Sequence, residues 1–393
     1  MTGIAAVATD PSVRGSPADG AASFSVVHVD TERTWGGGQR QLSLLAKGLR
    51  ERGHRVWAAV RPGTRLAAEL SGDGVPVVPV APLSEWGLST VRRLRKLLTN
   101  VRADVVHAHS GHAVALAALA SAGTPTRLIV TRRVALPLRR NPLTRWKYRR
   151  AERIIAVSEH VRDVLQAGGI ARGRIGVVRS GADLTPVPSR ARDAALAALG
   201  LDRGRPLVVM VSALVPPHKD PETFVRAVAA ARSAGCDCRA LLIGGGPLAA
   251  AAERAVRRAG LDGSVRLTGF RDDALELLGA ADVAVLSSRD EGLGTTLLDA
   301  MWAGVPIVAT EAGGVTEVVR DGVDGLLVPI GDAAALGAAI VRVLSNAPLR
   351  RALVCSGRER VKEFSIDRTV EGTLREYELV KRVRPADDGL AGR

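Results

Sequence analysis

The chain has 393 residues, 46% hydrophobic and 24% charged, a globular balance that excludes a mainly disordered chain and is long enough for two domains of ordinary size. Lys and Arg total 55 against 40 for Asp and Glu, a formal charge of +15. The excess is one-sided: residues 1–200 carry 30 basic and 14 acidic side chains, whereas residues 201–393 carry 25 and 26. An anionic partner for the first half accounts for this, and so does a GC-rich coding sequence, which enriches Ala, Arg and Gly. Aromatic residues are only 3%, too few for the stacking platforms of single-strand nucleic-acid binders, while duplex binding through phosphates needs none. No uninterrupted apolar run approaches the roughly 20 residues of a membrane span. Residues 1–22 read as a floppy leader and not an export signal, because Asp10 and Pro11 stand where an apolar core belongs. Cys236, Cys238 and Cys355 are too few and too scattered for a disulfide framework, which implies a reduced, cytoplasmic setting.

In chain order, apolar runs rich in Val, Ile and Leu predict strands at 24–29, 55–60, 75–80, 103–108, 127–131, 153–157 and 175–178. Amphipathic helical patterns such as QRQLSLLAKGLRERG and LSTVRRLRKLLTN lie between them. After a connection near 184–206 the alternation restarts, with strands at 207–213, 238–244, 264–269, 282–287, 306–310 and 325–329. Strand–helix alternation predicts parallel sheets covered on both faces, here α/β with two doubly wound, Rossmann-like domains facing across a cleft. The predicted division is 23–186, then 204–365, a terminal helix in 366–385 whose docking site is not legible, and a tail, 386–393.

The most informative stretch is RDEGLGTTLLDAMWAGVPIVATEAGGVTEVV, residues 289–319. Glu291 precedes Gly292, Leu293 and Gly294, and a helix is predicted to start near Gly294 or Thr295. The free N–H groups and positive dipole end of such a helix suit a phosphate or pyrophosphate. Asp299 follows Glu291 by eight residues, which lets one carboxylate reach the hydroxyls of a sugar and the other those of a ribose across the pyrophosphate. A helix start that merely favours acids is the plainer reading of the same residues.

This segment resembles the family 4 glycosyltransferases of the GT-B fold, whose signature is a Glu, seven residues and a second Glu; here Asp299 takes the second place. The following AGVPIVATEAGGVTEVVRDGVDGLLVP is similar to the family as well. The resemblance implies a retaining, metal-independent transfer of a sugar from a nucleotide diphosphate sugar, with the donor in the second domain and the acceptor in the first. It implies that Glu291 holds the donor sugar, Asp299 the ribose, and Lys219 in VSALVPPHKDPETFV the diphosphate, with Gly294 and Thr295 offering backbone N–H groups. An Arg usual in the family is replaced by Ala213, which leaves half of the phosphate clamp missing. Gly36, Gly37 and Gly38 resemble the family's N-terminal glycine loop, which a simple flexible turn explains as well, and Gly245 in LLIGGGPL resembles a donor-side turn.

His107 and His109 alternate onto one side of a strand end in DVVHAHSGH, and His109 is the stronger candidate for touching sugar or acceptor; no acid or Cys nearby completes a metal site. Arg132 and Arg133 follow the 127–131 strand where many family members carry a histidine, resembling a Thr-Arg-Arg subgroup. They are candidates for catalysis and for the missing clamp. Residues 105–151 contain nine basic side chains and no acid, so a phosphorylated or lipid-linked acceptor at an anionic inner membrane surface is the expected partner, rather than nucleic acid. No metal and no cofactor are expected: D-x-D is absent, and the nucleotide sugar is a substrate. Two rivals stay open, a sugar-nucleotide epimerase of the same architecture and a basic nucleic-acid-binding protein.

Overall fold

The computed structural model describes residues 23–382 except 82–86, 140, 186–193, 195–196 and 202–203. The expected leader and tail therefore lie outside the described residues. The first sheet contains β1 (Ser25–Val29), β2 (Arg55–Val60), β3 (Val77–Pro79), β4 (Val105–Ala108), β5 (Arg127–Arg132), β6 (Arg153–Ala156) and β7 (Ile175–Val177). The second contains β8 (Leu207–Val211), β9 (Arg239–Ile243), β10 (Val265–Gly269), β11 (Val283–Leu286), β12 (Ile307–Thr310) and β13 (Leu326–Val328). Every strand lies within two residues of its expected bounds. The reason is burial on both faces, which makes a parallel strand a continuous apolar run flanked by turns.

Both sheets are parallel, in the orders β3-β2-β1-β4-β5-β6-β7 and β10-β9-β8-β11-β12-β13. Each order reverses once, between β1 and β4 and between β8 and β11, and a crevice opens outside the strand C-termini at such a point. The β1–β4 register places His28 beside His107.

The last helix, Ile366–Arg382, closes the molecule. It leaves the second domain, pairs near Ala182 and Ser365, and packs on the first domain. Val370 and Tyr377 are fully buried there, and Glu376 accepts from Arg153 Nε at 2.7 Å. A Cβ at Gly48 would meet Val370 at 2.7 Å and one at Gly372 would meet Val178 at 2.8 Å, so glycine permits the close approach on both partners. Direct contacts also tie the domains: Arg179 to Glu317 at 2.8 Å, and Trp302 Nε1 donating to the Thr185 carbonyl at 3.1 Å. Among the described residues no helix is long and apolar enough to cross a membrane.

Candidate functional site

The chain places two helix N-termini against each other across the crevice. One begins the helix Gly37–Glu51, directly after Gly36, and the other begins the helix Thr295–Ala303, directly after Gly294. Neither has a side-chain cap or an acid in its first turn, whereas Asp220, Asn141 and Ser158 cap other helices of the same chain. Gly294 takes φ +85, the left-handed backbone that a non-glycine residue resists. A Cβ at Gly37 would stand 3.3 Å from Thr295 Oγ1, so the two starts are in contact range. Uncapped N–H groups and two positive dipole ends converge there, an arrangement that stabilises a bound anion.

A cleft of about 400 Å³ opens at this point. Of the sequence-predicted residues, Gly36, Gly37, Gly245, Thr295 and Asp299 line it, as does Ala213. Gly245 is open to the cleft, its nearest neighbour to a Cβ being Phe270 N at 3.9 Å. The glycines on either side are the sterically required ones: Gly244 and Gly246 take φ +137 and +147, and a Cβ on them would strike the Ser212 and Leu214 carbonyls.

Glu291 lies beside the cleft, outside its lining. Its Oε1 receives both the Lys219 ammonium and the Ser288 hydroxyl, the latter at 2.6 Å. Lys219, expected on a diphosphate, is thus held on the neighbouring acid. Gly292 is packed so that a Cβ would strike the Arg133 carbonyl, and Leu293 is buried beneath it. This contact sets the loop that carries Glu291 directly on the first domain.

Asp299 does not stand free. Arg40, in the first turn of the opposing helix, donates through Nη1 to both carboxylate oxygens, at 2.8 and 2.7 Å. Burial pushes the Asp299 carboxyl above its ordinary range; Arg40 opposes that shift and Asp183 adds to it. No motif pointed to Arg40, although its place five residues after Trp35 in WGGGQR was a legible signal.

The histidines form a buried group on the first sheet. Arg133 Nη1 lies 2.9 Å from His109 Nδ1, and since guanidinium only donates, Nδ1 accepts. His109 therefore carries its proton on Nε2 and donates to His28 Nδ1 at 2.9 Å. His28 Nε2 then bears a proton with no hydrogen-bond partner among the described residues. His107 is engaged by Tyr377 Oη at 2.7 Å and Thr131 Oγ1 at 2.6 Å. Burial pulls His28 down to about 3 and His107 and His109 well below the usual 6.5, with Arg133 reinforcing all three. These are neutral imidazoles. Their ligand atoms lie within 4.8 Å of one another, a metal-like cluster, but it is charge-poor for a divalent ion because its neighbour is the Arg133 cation.

Two sets of the candidate residues stand away from the cleft lining. His109 has both ring nitrogens occupied and is not among the residues that line the cleft. Arg132 and Arg133 do not line the cleft either: Arg132 Nη2 donates to the Leu136 carbonyl at 2.6 Å, and Arg133 is committed to His109. Burial pulls the Arg133 guanidinium down to about 10, against the opposing pull of Asp30. Its stem stands 3.5 Å from a Cβ at Gly38, so Arg133 links the two glycine loops. The cations that line the cleft are instead Arg40, Lys47, Arg65 and Arg271.

Residues 35–185 match the family described as Glycosyltransferase Family 4, and residues 205–346 match Glycosyl transferases group 1. EpsD of Bacillus subtilis (strain 168), named as a glycosyltransferase, is 27% identical over 343 residues, covering 83% of this chain and 89% of EpsD. The D-inositol 3-phosphate glycosyltransferase of Nocardia farcinica is 33% identical over 288 residues, covering 70% of this chain and 61% of that protein. The chain thus spans less than two thirds of that relative's length. In fold, it resembles Anabaena HepE crystallised with UDP-glucose, at TM-score 0.79 and 20% identity, covering 91% of this chain and all of the other.

Proposed function

The chain belongs to the family 4 glycosyltransferases and has their GT-B fold, and from that premise we propose that it transfers a sugar from a nucleotide diphosphate sugar to an acceptor, with retention and without a metal ion. The observation that carries this reading is the meeting of two uncapped helix N-termini, one from each domain, beside the acid pair Glu291 and Asp299. A diphosphate seated there is stabilised by preorganised N–H dipoles, which do in part what a divalent ion does elsewhere. Glu291 orients the donor sugar through Oε2, the oxygen that Lys219 and Ser288 leave unused. Asp299 accepts from the ribose hydroxyls, and the glycine at 245 keeps room for the donor. HepE was crystallised with UDP-glucose, so UDP-sugars are the first donors to test. A thermal-shift panel of UDP-, GDP- and ADP-sugars, with and without a chelator, tests the reading; stabilisation by none of them, or only with added metal, contradicts it.

The acceptor side of the proposal rests on charge. The helices Leu88–Asn100 and Pro142–Arg150 both pack against the helix between them, Gly111–Ser121, and neither contains an acid. Arg92, Arg93, Lys96, Arg145 and Arg149 point to solvent, with Leu88 and Trp146 exposed among them. Such a face is drawn to anionic lipid by about 1 kcal/mol per cation, which suits an acceptor carried as a lipid-linked phosphate in envelope polysaccharide assembly at the cytoplasmic leaflet. Flotation with anionic and zwitterionic vesicles tests this: binding to the anionic set alone is expected, and no binding to either removes the membrane from the reading.

A further inference from the structure

We propose that Arg40 is the residue that neutralises the donor's diphosphate in this chain, and that its ion pair with Asp299 is a resting position from which the donor's ribose releases it. The inference rests on the donor-site reading above and adds a residue to it. Ala213 lines the cleft with a methyl group, so this position brings no charge to the diphosphate.

The other cations near the cleft are committed or distant. Arg271 is held by Asp273 through Nε and Nη2, at 2.7 and 2.8 Å. Arg65 is paired with Glu69 and Asp272 and stacks 4.7 Å from the Trp35 ring centroid. Lys219 is bound to Glu291. Lys47 lies ten residues beyond the start of its helix, about 15 Å along the axis.

Arg40 differs in having as its partner the acid that the ribose is to use. Both of its contacts pass through Nη1, leaving Nε and Nη2 without a partner among the described residues. Its side chain keeps a quarter of its exposure, so it has room to move. Asp299 is four residues past Thr295, about 6 Å along the axis, so a retreat of one helical turn brings the guanidinium to the converging N-termini. Two ribose hydroxyls replace the two N–H contacts on Asp299, so the buried carboxylate is never left bare. The freed fork then meets phosphate oxygens bidentately. In this way ribose and diphosphate are recognised together, and the cross-domain bridge passes from an ion pair to the nucleotide.

The experiment compares two ligands, the nucleoside diphosphate that binds best among UDP, GDP and ADP, and its parent nucleoside, by calorimetry. In Arg40→Ala, the diphosphate is expected to lose at least tenfold in affinity relative to the nucleoside, whose own binding holds or tightens because Asp299 no longer has to be released from Arg40. Adding A213R to that variant restores the diphosphate's advantage, and Arg40→Lys retains part of it. An unchanged diphosphate-to-nucleoside ratio in Arg40→Ala overturns the proposal. So does tighter binding of both ligands, which is what a latch that only blocks Asp299 would give. A wild-type chain that binds no nucleoside diphosphate removes the donor reading itself and this proposal with it, a result distinct from either.

Discussion

Tyr377 Oη stands 2.7 Å from His107 Nδ1, so the last helix of the chain ends its path at the centre of the first sheet. The ring is fully buried and also meets Phe24 edge-on. Tyr377→Ala is expected to cost about 3–5 kcal/mol, the usual range for emptying an aromatic site. Tyr377→Phe keeps the ring but strands a buried imidazole nitrogen, a loss of about 1–3 kcal/mol. Urea unfolding of both variants beside the wild type checks the order, and a Tyr377→Phe chain as stable as wild type would mean that the hydroxyl contributes nothing.

The histidine cluster predicts acid sensitivity. His28, His107 and His109 have folded pKa values held below the ordinary 6.5 by burial, His28 at about 3. The unfolded chain takes up protons on them as pH falls through 6.5, and the folded chain does not. Stability is therefore intact above 6.5 and drains as pH falls from there towards the folded values, with a limiting slope of about 4 kcal/mol per pH unit for three protons. Urea midpoints measured from pH 7.5 to 5 should fall steeply, and a flat profile would contradict the neutral assignment.

Two glycines of the site should answer differently to alanine. At Gly292 the added methyl strikes the Arg133 carbonyl, so the loop carrying Glu291 must shift at a cost of about 1–3 kcal/mol, with activity lost. At Gly245 the methyl enters open cleft, so the melting temperature stays within a degree or two while the donor KM rises. Thermal melts beside steady-state kinetics separate these effects. A Gly292→Ala enzyme with unaltered stability and turnover would refute the packing argument.

Glu291→Gln keeps the volume and the Ser288 contact but removes the charge that Lys219 neutralises. A loss in kcat/KM of at least tenfold is expected, about 1.4 kcal/mol or more of transition-state stabilisation, with the fold intact by circular dichroism. Transfer at the wild-type rate would remove Glu291 from the donor site.

Thirteen strands could be read from the one-dimensional pattern, because burial on both faces writes itself as Val- and Ile-rich runs. Glu291, Asp299 and the glycines around 294 were legible for a similar reason: a loop and the helix it starts are local, and their spacing survives folding. The +16 surplus of residues 1–200 was also readable, and two of its helices now present that charge on one face.

Tertiary structure alone decided the partners. Arg40 and Asp299 are separated by 259 positions and meet only because two sheets turn their strand ends to one crevice. His107 and Tyr377 are 270 apart, and nothing in the amphipathic pattern of the last helix says which domain its apolar face will cover. The arginines of 132–133 looked available by composition, yet the fold spends one on a histidine and the other on a carbonyl. Periodicity and local spacing are properties of the chain in one dimension and determine its elements and loops. Which charge neutralises which is set by distances that exist only after the two domains have packed.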